Sequence, residues 1–249
     1  MITSRQNRLV QEVRGLDRRR DPARFLLEGP NVLREAMAAG IMLDLVLHAP
    51  GAPPLLRDEA VAVALREATV SDDILAYAAD SQHPQGIVAL ARVPVFAEDD
   101  ATCRVLVLEE VRDPGNLGTV TRTAWAAGFD TVLLAGQCVD PWSPKVVRAA
   151  AGATFHVPVR RFPMLDDALA WLDERDLRLV GARSDGAEPC FDADLKAPLA
   201  LVLGSEAHGI SDEMAARCES FVRIPMARGC ESLNLAAAAA VLMYAARGS

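Results

Sequence analysis

Two hydrophobic patterns alternate along the 249-residue chain: short, dense apolar runs, and longer stretches with apolar residues at helical spacing. In the first part, "RFLLEG", "LDLVLH" and "GIVALAR" are expected strands. "GPNVLREAMAAG", stopped by Gly40, and "SDDILAYAAD", opened by Ser or Asp, are expected helices. Later runs, "RVLVLEE", "TVLLAG", "LRLVGAR", "LALVLG" and "FVRIP", are continuous rather than alternating, as in a parallel sheet buried on both faces. Helical patterns separate them: "NLGTVTRTAWAAG", "SPKVVRAAAG", "MLDDALAWLDER", "SDEMAARC" and an Ala-rich end that Ser232 is placed to cap. Regular strand–helix alternation predicts a doubly wound α/β domain.

Between the two parts, "VPVFAEDDATC" breaks the periodicity with a proline and an acidic stretch. A linker is therefore expected near residues 94–102, dividing the chain into domains 1–95 and 103–249. The length suits two domains, and with half the residues apolar the chain can bury a real core. The polar N-terminus "MITSRQNRLVQ" lacks the apolar stretch of a signal peptide. The longest apolar run, Leu235 to Ala246, is 12 residues, against the roughly 20 of a membrane span. The expectation is a soluble, cytoplasmic protein with no membrane association.

Charge adds one feature. The net charge of −8 disfavours a protein that coats nucleic acid non-specifically. From Met1 to Arg34, however, eight arginines stand against four acids, a local balance of the kind phosphate contacts respond to. "LDRRRD" also reads simply as a solvated helix end. The five cysteines (Cys103, Cys138, Cys190, Cys218 and Cys230) and four histidines (His48, His83, His156 and His208) have no metal-ligand spacing, so no metal is expected.

Three strand ends carry unusual residues where open parallel sheets bind ligands. In "EEVRDPGNLGTVTRTAWAAG", Leu117, Val120, Ala124 and Ala127 form one packing stripe. Arg122 lies about 140° round the helix from Leu117, outside that stripe. Asn116 sits at the helix start, where capping is the ordinary role. In "LALVLGSEAHGISDEM", Gly204 and Gly209 bracket Ser205–His208, and a glycine after a strand permits close backbone approach to a ligand. In "FVRIPMARGCESLNLAAAAAVLMYAA", Ser232 and Asn234 lie at the mouth of an apolar helix. No dinucleotide fingerprint, P-loop, zinc-protease or nucleophile-elbow motif occurs.

"DPGNLGTVTRTAWAAGF", "LVLGSEAHGIS" and "IPMARGCESLNLAAAAAVLM", in this order, resemble the SpoU (TrmH-like) RNA ribose 2′-O-methyltransferases of the SPOUT superfamily. The resemblance runs from about Arg104 to Ala246. "SRQNRLVQEVRGL", "FLLEGPNVLREAMAAG" and "HPQGIVAL" resemble the family's substrate-binding domain, a small α/β module similar to ribosomal RNA-binding proteins. The resemblance implies a SPOUT α/β parallel sheet with a C-terminal trefoil knot and a homodimer with its active site across the interface. S-adenosylmethionine would be held by backbone groups around Gly204, Ile224, Met226 and Leu233. Asn116, Arg122, Glu206, Ser232 and Asn234 match the family's functional positions; His208 is less typical.

The implied reaction is in-line attack of a ribose 2′-oxygen on a sulfonium methyl group, which requires alignment and loss of the hydroxyl proton. A guanidinium is a weak base near neutral pH, so Arg122 is expected to grip phosphate or the 2′-oxygen and stabilise negative charge. Asn116 and Ser232 would orient Arg122 or the nucleotide, while Glu206 and Asn234 fix the loop. The resemblance of the N-terminal domain favours ribosomal RNA over transfer RNA. A non-catalytic RNA-binding protein on the same fold and a nucleotide-binding oxidoreductase are the rival readings.

Overall fold

The computed structural model describes residues 1–15, 21–81, 84–97, 102–230 and 232–247. Arg18, Arg19, Arg20, His83 and the acidic centre of the expected linker lie outside these residues. The chain forms two compact units, Met1–Val95 with Trp142–Phe155, and Phe96–Pro141 with His156–Ser249.

In the first unit, strands β1 (Arg24–Glu28), β2 (Leu43–His48), β3 (Glu67–Thr69) and β4 (Ile87–Arg92) make a sheet of order β1-β4-β2-β3. Only the β2–β3 pair is parallel. Helices α1 (Arg8–Arg14), α2 (Pro30–Ala38), α3 (Pro54–Val63) and α4 (Asp72–Ala78) cover both faces. The pleat sends alternate side chains to opposite sides. Phe25 and Leu27 pack with Leu33 of α2 and Leu56 of α3, whereas Leu26, Leu45 and Leu90 pack with Val10 of α1 and Ile74 of α4. Helix α3 is not expected from the sequence. Its opening Pro53-Pro54 reads as a break, yet proline suits the first helical position, where the missing N–H has no partner to lose.

The second unit holds β5 (Arg104–Glu109), β6 (Thr131–Ala135), β7 (Val159–Phe162), β8 (Arg178–Ala182), β9 (Glu188–Pro189), β10 (Leu199–Leu203) and β11 (Ser220–Arg223). All are parallel, in the order β7-β6-β5-β10-β8-β11-β9. The buried runs of β5, β6 and β10 occupy the centre, as their continuous apolar sequences require. Helix α5 (Pro114–Ala127) starts at an Asp113 cap and stops at Gly128, which adopts the left-handed conformation. Helix α6 (Pro144–Ala150), part of the first unit, comes next in the chain; α7 (Leu165–Asp173), α8 (Asp212–Ala215) and α9 (Leu235–Arg247) complete the second unit, and α9 packs on α5.

Two sequence expectations change. Helix α6 comes from the segment expected to build the catalytic domain, but Trp142–Phe155 belongs to the first unit. The Phe25 ring lies 4.8 Å from Trp142 and 5.9 Å from Phe155, and Arg148 reaches Glu28 at 3.2 Å and Asp80 at 2.9 Å. The cap of α9 is Asn234 rather than Ser232: the Ala236 and Ala237 amides donate to Asn234 Oδ1 at 2.9 and 3.4 Å.

Candidate active site

Strand β10 is late in the chain yet lies between β5 and β8, so strand order reverses there. Clefts at such switch points, beyond the carboxyl ends of the strands, are where open α/β sheets bind ligands. A cavity of about 770 Å³ opens at the ends of β8, β10 and β11 and at the start of α9. Gly204, Ile224, Met226 and Leu233 all line it, as do Glu206, Ser232 and Asn234. Asn116 and Arg122 do not.

Asn116 reaches the site through its side chain. Because Asn234 Oδ1 caps α9, its Nδ2 must be the donor. That Nδ2 donates to Asn116 Oδ1 at 3.0 Å and to Glu206 Oε1 at 3.4 Å. Asn116 Nδ2 in turn donates to Glu206 Oε1 at 2.8 Å. The Leu235 amide also points at Glu206 Oε1, at 3.4 Å, which puts a carboxylate at the positive end of α9. The three loops expected to carry chemistry thus meet at one carboxylate oxygen. Asn116 is not a cap; Asp113 caps α5, accepting from the Asn116 amide at 2.7 Å.

Arg122 projects from the exposed side of α5, opposite the buried stripe of Leu117, Val120, Ala124 and Ala127. Among the described residues nothing pairs with its guanidinium. Ser232 is exposed on the cavity rim.

Gly204 also meets a requirement of the loop itself: a Cβ there would lie 1.9 Å from the Gly209 carbonyl, so only a glycine accommodates the loop's return. The Ser205 and Gly209 main chains exchange hydrogen bonds at 3.1 and 2.8 Å, and Gly209 has φ +68.

Two further acids matter that no sequence motif marks. Glu109, 5 % exposed at the end of β5, accepts from the Ser211 amide at 2.9 Å and anchors the loop that follows Gly209. Glu110 adopts φ 56, a conformation a side chain seldom occupies. Its carboxylate accepts from the Gln137 amide at 2.7 Å and from Arg112 at 2.8 Å. The Gln137 bond first, then Arg112, hold its carboxyl below the usual range. The only visible signal is a Glu-Glu pair closing an apolar strand.

None of the five cysteines is in a disulfide among the described residues, and burial raises the thiol pKa of Cys138, Cys190 and Cys218, the last to about 11. Among the described residues no group of three His, Cys, Asp or Glu side chains could hold a metal ion, and no helix is long and apolar enough to cross a membrane.

Residues 104–244 match the SpoU rRNA Methylase family. The chain belongs to this family. Residues 7–89 match the MRM3-like substrate binding domain. The chain is 30% identical to the 23S rRNA (guanosine(2553)-2'-O)-methyltransferase RlmP of Bacillus subtilis, over 99% of both proteins. The SpoU methyltransferase AviRb from Streptomyces viridochromogenes, solved with the cofactor AdoMet, superposes with a TM-score of 0.89 at 26% identity, covering 98% of each chain. An AdoMet-bound rRNA methyltransferase from Sinorhizobium meliloti gives a TM-score of 0.86 at 29% identity, covering 99% of this chain and 97% of its own. The parallel sheet of this SpoU protein is therefore a SPOUT sheet.

Proposed function

We propose that this SpoU protein transfers a methyl group from S-adenosylmethionine to a ribose 2′-oxygen of ribosomal RNA, acting as a homodimer in the cytoplasm. The observation that carries the reading is the convergence of Asn116, Glu206 and Asn234 at the mouth of the cavity.

The cavity suits the cofactor. Its volume lies within the ordinary range for small-molecule sites. Leu203, Ile224, Leu235 and Leu242 give apolar walls for a purine, while Ser184, Asp185 and Glu206 give polar groups for the ribose and amino-acid ends. Ile224, Met226 and Leu233 lie outside strand ladder and helix, so their main-chain groups are available to a ligand. When bound, S-adenosylmethionine supplies an electrophilic methyl group on a sulfonium centre.

The chain's own residues then act on the RNA. Glu206 and Asn234 hold the cavity rim and the start of α9 in register. Asn116, fixed by both, orients the nucleotide with Ser232. Arg122 grips the phosphate beside the target ribose and stabilises negative charge on the 2′-oxygen while its proton passes to phosphate, water or a transiently neutral Arg122. The O–CH3 bond forms as the S–CH3 bond breaks, leaving a neutral thioether.

Arg122 lies on α5 outside the cavity of its own chain, which fits an active site completed by a second copy. On the same helix Trp125 is 44% exposed, and on α9 Tyr244 is 50% exposed; both are large apolar groups that a partner would cover. The trefoil knot of the SPOUT resemblance belongs to this reading.

RlmP and the Sinorhizobium meliloti protein are named for ribosomal RNA, other relatives for tRNA/rRNA without distinction, and the N-terminal unit carries the substrate-binding match, which supports ribosomal RNA. Transfer from methyl-labelled S-adenosylmethionine to separate pools of unmodified ribosomal and transfer RNA tests the assignment. Label confined to ribosomal RNA supports it; label confined to transfer RNA overturns the substrate class.

A further inference from the structure

Apart from Arg34, which donates to the Asn31 side chain at 3.5 Å, the described arginines of the first unit fall into two groups. Arg24, Arg57, Arg66, Arg92 and Arg148 are each held by a carboxylate. Arg5, Arg8 and Arg14 are exposed and have no acid partner among the described residues. Two of them share an aromatic ring instead: the Arg5 and Arg14 guanidinium carbons lie 4.8 and 5.6 Å from the centroid of Tyr77.

The arrangement is built rather than incidental. Asn7 caps α1 by accepting from the Leu9 amide at 2.9 Å, and Gln11 Nε2 donates to the Arg5 carbonyl at 2.5 Å. The Ile2 amide donates to Thr69 at 2.8 Å, and the Ser71 amide to Ile2 at 3.0 Å, which pins the N-terminal segment to the sheet edge. Tyr77 on α4 packs against the core that contains Val10 and Val13 of α1. Asp73 feels the charge of Arg5, but its carboxylate is engaged by the Ser71 hydroxyl at 2.5 Å and forms no ion pair among the described residues.

A ring and a carboxylate differ in what they leave available. A carboxylate neutralises a guanidinium and occupies its N–H fork. An aromatic ring orients the group while leaving both the charge and the in-plane donors free. Such a group is ready for bidentate contact with a phosphate. We infer that Arg5, Tyr77 and Arg14 form a phosphate-binding element that grips the RNA backbone of the substrate, with Tyr77 holding the two guanidinia in place. This rests on the functional reading above, and names where the first unit holds its RNA.

The test is binding of the full-length protein to fluorescently labelled 23S ribosomal RNA transcript across a salt series, with S-adenosylmethionine affinity measured on the same samples by calorimetry. Arg5→Ala with Arg14→Ala is expected to weaken RNA binding at least about tenfold. It should also lower the slope of log affinity against log salt by about two, one for each phosphate that an arginine no longer neutralises. Cofactor affinity stays unchanged. Tyr77→Phe keeps the ring and the binding; Tyr77→Leu weakens binding about two- to fivefold. Arg57→Ala, which removes an arginine already neutralised by Asp58, has little effect. A double variant with the wild-type affinity and slope overturns this inference alone, as does an Arg57→Ala loss equal to that of the double variant. A wild-type protein that binds cofactor but no RNA overturns the functional reading and this inference with it.

Discussion

Asn116 and Glu206 are separated by 90 residues, and the Asn116 carboxamide donates to the Glu206 carboxylate at 2.8 Å. The same oxygen receives the Asn234 carboxamide and the Leu235 amide. One carboxylate therefore joins the start of α5, the loop after β10 and the start of α9. Glu206→Ala removes the acceptor from three donors at once. We expect turnover to fall by about 100-fold or more and cofactor affinity to weaken, because the groups it frees line or border the cavity. Glu206→Gln keeps an acceptor and should lose less. Steady-state kinetics with calorimetric cofactor binding checks the order; equal losses in the two variants would sink the hub role.

Gly204→Ala tests the loop rather than the charge. Its Cβ would meet Gly209 main chain at 1.9 Å, and backbone cannot yield as a flexible side chain can. The 205–209 loop must shift, and with it the cavity wall. Saturable S-adenosylmethionine binding should be lost while the far-ultraviolet circular dichroism is retained. Wild-type affinity in this variant would show that the cavity wall does not depend on the close return of Gly209.

If a second copy supplies Arg122, two inactive variants should repair one another. Arg122→Ala and Glu206→Ala proteins, each inactive alone, are expected to recover part of the wild-type rate when co-expressed or exchanged into mixed dimers. Each mixed dimer then contains one site with both residues intact. Mixed dimers that form but stay inactive would place Arg122 and Glu206 of the same chain in one site.

The first unit carries a pH-dependent tie. Glu12 accepts from Arg66 at 2.8 Å and is also paired with Arg24, and these bonds, Arg66 first, hold its carboxyl at about 2 against an ordinary 4.5. Folding lowers this pKa, so the stabilisation is fully present above about 4.5 and is lost as pH falls toward 2. After allowance for partial exposure it is worth about 2 kcal/mol. Glu12→Gln should destabilise the first unit by about that amount near neutral pH, and the difference should shrink as pH falls below 4.5. Denaturant unfolding of both proteins at several pH values decides it; a pH-independent difference would mean that packing, not charge, is lost.

The legible parts of the sequence are those set by local pattern. "RVLVLEE" and "LALVLG" are apolar throughout, and β5 and β10 are the buried centre of the sheet. The three strand-end loops are recognisable one by one, but their meeting on Glu206 depends on β10 entering between β5 and β8, which no local pattern encodes. Ser232 and Asn234 both suit a cap; only the actual start of α9 at Leu235 selects Asn234. Glu109 and Glu110 look like a polar strand end because their partners, Ser211 and Gln137, are distant in sequence. "SPKVVRAAAG", residues 143–152, reads as a helix, but the pattern cannot say that Val147 and the nearby Phe155 bury themselves with Phe25.

The most direct measurement is nucleoside mass spectrometry of unmodified ribosomal RNA after incubation with S-adenosylmethionine and either wild-type or Arg122→Ala protein. Wild type should yield one 2′-O-methylated nucleoside. Arg122→Ala should lose that product by about 100-fold or more while binding cofactor with unchanged affinity. A methyl group on a base, or a ribose product undiminished in Arg122→Ala, would contradict the assignment of Arg122 to ribose methylation.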